Sequence, residues 1–325
     1  MKRRDFLKYS TLTAAGGWLA PALPFGSCSG PGHGRSLVLC VVAGIPEPAF
    51  AALFDPAPGG IGHSGTLLTG LRYNGHAAGH RIAFESILHG RYLTEAESGR
   101  EPLVAAPLYR NAGPGARLVT SARPFLRPGK GETGAEHFCV SYNENGLPSV
   151  ESAPGTDTGA VVRRLAERPL HRFASEDLCI AETACMLLEH GQPALLGVHF
   201  MGADAAHGNP TSAEANTAHI KEGINRLWQT ARARAHGKDR TVFVVLPDFG
   251  RNGSPNSMRD AGGHAGTDHS ILDEHTKKTA CFVAGKEHFA FDATAKDENP
   301  DILSVLYGPD GPLRTSGSTA RRAGF

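Results

Sequence analysis

The sequence predicts an α/β fold in which a mostly parallel central sheet carries helices on both faces. Three continuous apolar runs, at 36–43, 195–200 and 241–246, are typical of strands that are buried on both faces of a parallel sheet. Segments with helical spacing of apolar residues alternate with these runs, which is the pattern of an α/β sheet. Forty glycines and twenty-two prolines in 325 residues indicate long loops between the elements.

Each predicted strand is a short apolar run that lies between turn-forming residues. The predicted strands are, in chain order, 36–43, 103–107, 117–120, 195–200, 241–246 and 279–284. The region 123–158 is rich in loop-forming residues and shows no regular pattern, so no strand is predicted within it.

Helices are predicted where apolar residues recur at helical spacing. Ser175 can cap a helix that reaches about Glu189, because two acidic residues follow it in the first turn. A longer helix begins at Thr211 or Ser212 and continues to about Ala233. The predicted helices are, in chain order, 67–71, 81–91, 176–189, 211–233 and 302–307.

Residues 1–28 are predicted to be a targeting segment rather than part of the fold. The sequence Lys2-Arg-Arg-Asp-Phe-Leu-Lys8 matches the twin-arginine export pattern, which indicates export of a folded protein to a bacterial periplasm. Phe25-Gly-Ser-Cys28 is similar to a lipoprotein cleavage site with Phe in place of Leu, so a lipid anchor at Cys28 stays open. Residues 29–325 are then a single domain with a polar C-terminal tail.

Composition excludes some functions and favours others. A formal net charge of +1 gives no electrostatic basis for nucleic-acid binding. The six cysteines form no close C-x-x-C pair, which argues against a zinc–thiolate site. Sixteen histidines favour metal chemistry, and no pattern predicts an oligomeric state.

Acidic residues follow two of the predicted buried strands. Asp204 and His207 come after the strand at 195–200, and Asp248 comes after the strand at 241–246. Because the carboxyl ends of parallel strands meet at one edge of a sheet, these residues should converge there. Both residue types bind divalent cations. The alternatives are that His207 packs the turn and that Asp248 forms a structural salt bridge with Arg251.

A Gly-rich loop downstream carries His264, Asp268 and His269, and its backbone can approach a ligand closely. His264 is a candidate catalytic residue. Arg251 and Asn252, directly after the Asp248 strand, are candidate substrate-binding residues.

A second loop, at 60–66, is predicted to run into a helix N-terminus, a geometry that suits an anionic substrate group. Its hydroxyl Ser64 is a candidate nucleophile, and His63 and Thr66 are candidate substrate-binding residues. Capping of the helix is the alternative role for these hydroxyls. His76 and His80 lie four residues apart, but their Gly-rich context argues against a stable helix there.

These motifs, in this order, resemble the alkaline phosphatase/sulfatase superfamily. Leu67-Leu-Thr-Gly-Leu-Arg-Tyr-Asn-Gly-His76 is similar to the segment that follows the nucleophile, and Val244-Val-Leu-Pro-Asp248 is similar to a metal-binding strand end. The resemblance implies an alkaline phosphatase-like domain that hydrolyses phosphate or sulfate esters of small molecules or glycans. It also implies a divalent cation, either zinc, calcium or manganese, with Asp204, His207, Asp248 and His269 as ligands.

Two departures from the family pattern leave two interpretations open. Ala43-Gly44 stands where a metal-binding Asp is expected, with Glu47 the nearest acid, and Phe249 stands where a His is expected. The first interpretation is an exported metal-dependent hydrolase with a reduced, atypical metal site. The second is a non-catalytic sulfatase-like protein that binds a ligand or a cell-envelope partner through a degenerate cleft.

Overall fold

The computed structural model describes residues 36–54, 60–76, 79–121, 134–142, 148–152, 174–191, 193–207, 209–233, 241–251, 277–285, 300–308 and 311–313. Their eight strands form a single sheet with the order β2-β8-β7-β1-β6-β3-β4-β5. The strands are β1 Ser36–Val42, β2 Gly65–Arg72, β3 Arg117–Thr120, β4 Glu136–Tyr142, β5 Pro148–Ser152, β6 Leu195–Phe200, β7 Thr241–Pro247 and β8 Lys278–Ala284.

The five central strands are parallel, and the outer pairings β2–β8, β7–β8 and β4–β5 are antiparallel. The predicted fold class, an α/β fold with a mostly parallel sheet, is therefore confirmed. No helix among the described residues is long and apolar enough to cross a bilayer.

Helices cover both faces of the sheet. They are α1 Glu47–Ala52, α2 His80–His89, α3 Pro107–Ala112, α4 Glu176–Gly191, α5 Pro210–Ala233 and α6 Ile302–Tyr307. Short 3-10 turns lie at Ile61–Ser64, Leu103–Ala105, Gly113–Gly115 and Gly202–His207. One buried cluster joins the sheet to α1, α4 and α5, and a second joins the other face to α2, α3 and α6.

The alternation of side chains along β1 explains why the sheet needs cover on both faces. Val38 and Cys40 belong to one buried cluster, whereas Leu37 and Leu39 belong to the other. Burial of nearly every side chain in this strand produces the continuous apolar run that the sequence shows.

The carboxyl ends of the central strands define the edge of the sheet on which the site lies. Val42 of β1 pairs with Phe200 of β6 and with Pro247 of β7. The segments that follow these strands therefore leave the sheet side by side. We call this edge the carboxyl rim, and both Asp204 and Asp248 lie beyond it in the chain.

Two predicted elements were wrong. Residues 67–71 belong to β2, an edge strand paired with β8, and not to a helix. Gly70 takes a φ of 73° at an irregularity in this pairing, a conformation that favours glycine. Residues 103–107 form a 3-10 turn and the start of α3 rather than a strand. Two strands, β4 and β5, lie in the region where none was predicted.

The other predicted helices and strands were confirmed to within a few residues. Ser175 precedes the start of α4, and its Oγ accepts a hydrogen bond from the Leu178 N–H at 3.3 Å, as expected of a capping residue. The targeting segment 1–28, with Cys28, lies outside the described residues. The described cysteines, Cys40, Cys139, Cys179, Cys185 and Cys281, are all buried, and no disulfide joins any two of them.

Candidate functional site

The imidazole of His80 lies between two carboxylates at the carboxyl rim. Its Nδ1 is 2.7 Å from Oδ2 of Asp248, and its Nε2 is 2.8 Å from Oδ1 of Asp204. The convergence of Asp204 and Asp248 follows from the parallel strands that precede them. His80 reaches the same place because β2 runs parallel to β7 and ends at this rim, after which α2 begins at His80.

Asp248 is fixed by the backbone on both sides of it. Its N–H donates to the carbonyl of Val42 at 3.2 Å, which continues the β1–β7 pairing by one residue. Its Oδ1 accepts from the N–H groups of Gly44 and Phe249, both at 2.9 Å. The side chain is fully buried, so these bonds are not exchanged with solvent.

Arg251 supplies a second base to the cluster. Its Nε donates to the carbonyl of Gly44 at 2.7 Å, and its Nη2 lies 3.1 Å from Oδ1 of Asp204. The Arg251 side chain is 1% exposed and that of Asp204 is 26% exposed, so Asp204 is the member that meets solvent. A salt bridge was predicted between Arg251 and Asp248, and the structure shows one between Arg251 and Asp204.

The charge of His80 follows from its contacts. Because both ring nitrogens face carboxylate oxygens, both bonds require an N–H, and the ring carries two protons. Burial by itself lowers the pKa of His80, but the carboxylates of Asp248 and Asp204 outweigh it and raise the pKa to about 10. The ring also stacks on Phe249, with centroids 5.0 Å apart and planes at 17°.

A single divalent cation shared by Asp204 and Asp248 does not fit this arrangement. The two oxygens that face His80 lie on opposite edges of its ring, roughly 7 Å apart given contacts of 2.7 and 2.8 Å. A cation with oxygen ligands at about 2.0–2.6 Å spans no more than about 5 Å. Among the described residues, no group of three or more His, Cys, Asp or Glu side chains is arranged as a metal site.

Glu47, the acid nearest in sequence to Ala43-Gly44, has a structural role at the start of α1. Its Oε1 accepts a hydrogen bond from the N–H of Gly70 at 2.8 Å, which ties the start of α1 to the irregular part of β2.

The candidate nucleophile Ser64 and its neighbours His63 and Thr66 lie at the other end of the sheet. Gly65 is level with Ala284 of β8, which in turn is level with Phe243 near the start of β7. Asp248 lies five positions after Phe243, a rise of about 16 Å along a strand. The loop passes through the 3-10 turn Ile61–Ser64 into β2 and not into an α-helix, so the predicted helix after it was wrong, and the roles of Ser64, His63 and Thr66 stay predictions.

The remaining predicted site residues lie partly or wholly outside the described part of the chain. The backbone of His207 ends the 3-10 turn that carries Asp204. Its side chain, and the residues Asn252, His264, Asp268 and His269, lie outside the described part of the chain, so their proposed roles stay predictions.

His80 is the site residue that the sequence analysis missed. Its Gly-rich surroundings argued against a helix, but Gly79 is the residue before α2 and allows the helix to begin at His80. The assignment of 65–72 as a strand would have revealed it, because a strand parallel to β7 delivers the following segment to the carboxyl rim.

Comparison with known proteins gives similarity in structure only. No family model matches the chain, and no curated protein matches it. Solved structures do. One is a 2-O GAG sulfatase, 10% identical with a TM-score of 0.48, covering 85% of this chain and 70% of that one.

Two further structures are hydrolases of phosphorus compounds. The alkaline phosphatase from the Antarctic bacterium TAB5 is 9% identical with a TM-score of 0.47, covering 77% of this chain and 90% of that one. Phosphonoacetate hydrolase from Sinorhizobium meliloti 1021, in complex with phosphonoformate, is 14% identical with a TM-score of 0.42, covering 66% and 56%.

The chain is thus similar in structure to sulfatases and to alkaline phosphatase superfamily members, as its motifs predict. It spans between 56% and 66% of the length of the first structures that it matches. The TM-scores of these structures lie below 0.5, and the similarity concerns the fold alone.

Proposed function

We propose that this protein is a non-catalytic, sulfatase-like binding protein of the bacterial periplasm. It would bind a ligand or a cell-envelope partner at the carboxyl rim instead of hydrolysing an ester there. The observation that carries this proposal is the separation of the acidic cluster from the candidate nucleophile.

Ester hydrolysis by covalent catalysis requires a nucleophile within hydrogen-bond reach of the group that activates it. Ser64 lies about 16 Å along the sheet from Asp248, by the pairing of β2, β8 and β7. The group nearest to both carboxylates is instead His80, whose two nitrogens are bonded to them. The charged groups of the cluster therefore bind one another, and no nucleophile among the described residues lies between the two carboxylates.

The accessible part of the cluster is the candidate contact for a ligand. Asp248 and Arg251 are buried, whereas Asp204 keeps 26% of its side chain exposed and His80 keeps 13%. A partner at the rim would meet the Asp204 carboxylate. The twin-arginine pattern and the cysteine at position 28 support an exported location for this binding surface.

Hydrolysis assays on the mature chain test the proposal. The substrates are p-nitrophenyl phosphate, p-nitrophenyl sulfate and phenylphosphonate esters, each with zinc, manganese or calcium added. We expect no turnover above that of the Ser64→Ala variant. Hydrolysis that is lost in Asp204→Ala and kept in Ser64→Ala would overturn the proposal and show chemistry at the rim.

The metal-dependent hydrolase remains the second candidate. It is favoured by the convergence of Asp204 and Asp248 on one rim, which the two buried strands that precede them predicted. A hydrolytic activity that depends on both Asp204 and the loop residue His269 would support it.

A further inference from the structure

We infer that His80 and Arg251 take the place of the divalent cation that the family resemblance predicts, so that the acidic cluster at the carboxyl rim is neutralised from within the chain. This inference does not depend on the proposed function, because an enzyme that works without a metal would keep the same arrangement.

The acidic and basic side chains of the cluster balance in number. Two carboxylates, Asp204 and Asp248, meet two basic side chains, His80 and Arg251. Buried carboxylates require cations or several hydrogen bonds to be tolerated. Here the protein supplies both bases from α2 and from the segment after β7, at distances of 2.7–3.1 Å.

The carboxylate oxygens of Asp248 and Asp204 accept hydrogen bonds from groups of this chain. Oδ1 of Asp248 accepts from two backbone N–H groups, and its Oδ2 faces His80. Oδ1 of Asp204 faces both His80 and Arg251. Three of the four carboxylate oxygens of Asp204 and Asp248 therefore already face donors, and the imidazole lies between the two side chains.

Both departures from the family pattern, Gly44 and Phe249, contact members of the cluster. Phe249, where a metal-binding His is expected, stacks on the His80 ring. Gly44, in the place of the expected acid, donates its N–H to Asp248 and offers its carbonyl to Arg251. The two replacements remove two candidate ligands and in the same places support the two basic side chains.

Removal of the imidazole supplies a direct test. His80→Ala leaves a ring-sized space between the carboxylates of Asp204 and Asp248, and imidazole added to the solution should fit it. We expect a fall in Tm of roughly 6 °C or more, since one partner of a buried ion pair is lost. Imidazole added at tens of millimolar should restore at least about half of that fall by binding the folded state.

A matched control and a wild-type measurement complete the design. His89→Ala removes a histidine at the other end of the same helix, and added imidazole should leave its Tm unchanged. Wild-type protein purified without chelator should hold well below one divalent cation per chain. Its Tm should not respond to EDTA or to added zinc, manganese or calcium.

Two outcomes overturn the inference. One is a wild-type chain with about one tightly bound divalent cation, whose removal by EDTA lowers the Tm. The other is a folded His80→Ala variant with the Tm of wild type. If His80→Ala does not fold, the wild-type measurements decide: insensitivity to EDTA and to added metal supports the inference, and a response to either contradicts it.

Discussion

Truncation of Asp248 should unfold the carboxyl rim more than any other single change to an acidic side chain of the site. Asp248→Ala removes the acceptor of two backbone N–H groups and the partner of His80. The side chain is fully buried. Solvent therefore does not replace the lost bonds at once, and His80 is left as a base with one carboxylate instead of two.

The magnitude follows from these contacts. Breaking a buried ion pair by removing one partner costs about 3–5 kcal/mol. The orphaned N–H groups of Gly44 and Phe249 are part of that cost, at about 1–3 kcal/mol for each donor that stays unsatisfied. Asp248→Asn keeps an oxygen for both N–H groups and should cost less, about 1–3 kcal/mol. The difference between the variants separates the charge from the hydrogen bonds.

Urea unfolding of the chain from residue 29 to 325, monitored by circular dichroism, measures these losses of unfolding free energy. Glu95→Ala, at an exposed acid, is the control and should change the free energy of unfolding by no more than about 0.5 kcal/mol. An Asp248→Ala variant that loses less than about 1 kcal/mol would refute the assigned network. A larger loss in the Asn variant than in the Ala variant would refute it as well.

Two further predictions concern the fold around the site. Gly197→Ala in β6 brings a Cβ within 2.0 Å of the Tyr109 hydroxyl, and it should lower the free energy of unfolding in urea by about 1–3 kcal/mol. The control Gly191→Ala places its Cβ in open space and should not destabilise the protein. Equal losses in the two variants would contradict the packing around Gly197. Burial raises the pKa of Asp177 from 3.8 to about 7, so its stabilisation is full below about pH 4 and is lost as pH rises through 7. Asp177→Asn should flatten that loss between about pH 4 and pH 7, the window between the two pKa values, whereas an unchanged slope would rule out the assignment.

Burial determined which strands could be predicted from the sequence. The runs at β1, β6 and β7 are apolar at almost every position because both faces of each strand are covered. Their bounds were accordingly predicted to within a residue or two. The edge strand β2 is only partly buried, and a short apolar run of this kind does not distinguish a strand from a helix.

Sequence distance limited the prediction of the site. Asp204 and Asp248 could be predicted to converge, because each follows a buried parallel strand. The position of His80 depends on partners 124 and 168 residues away, and no local spacing encodes such contacts. The distance of Ser64 from the rim likewise depends on the pairing of β2 with β8, more than 200 residues later in the chain.

The backbone at Gly44 makes the present site difficult to change by single substitutions. Its φ of 52° favours glycine, and both its N–H and its carbonyl bind members of the cluster. An acid introduced at position 43 or 44 would add a third carboxylate to a cluster whose two carboxylates already face two basic side chains. A substitution at Gly44 would in addition disturb the contacts of Asp248 and of Arg251 at the same time.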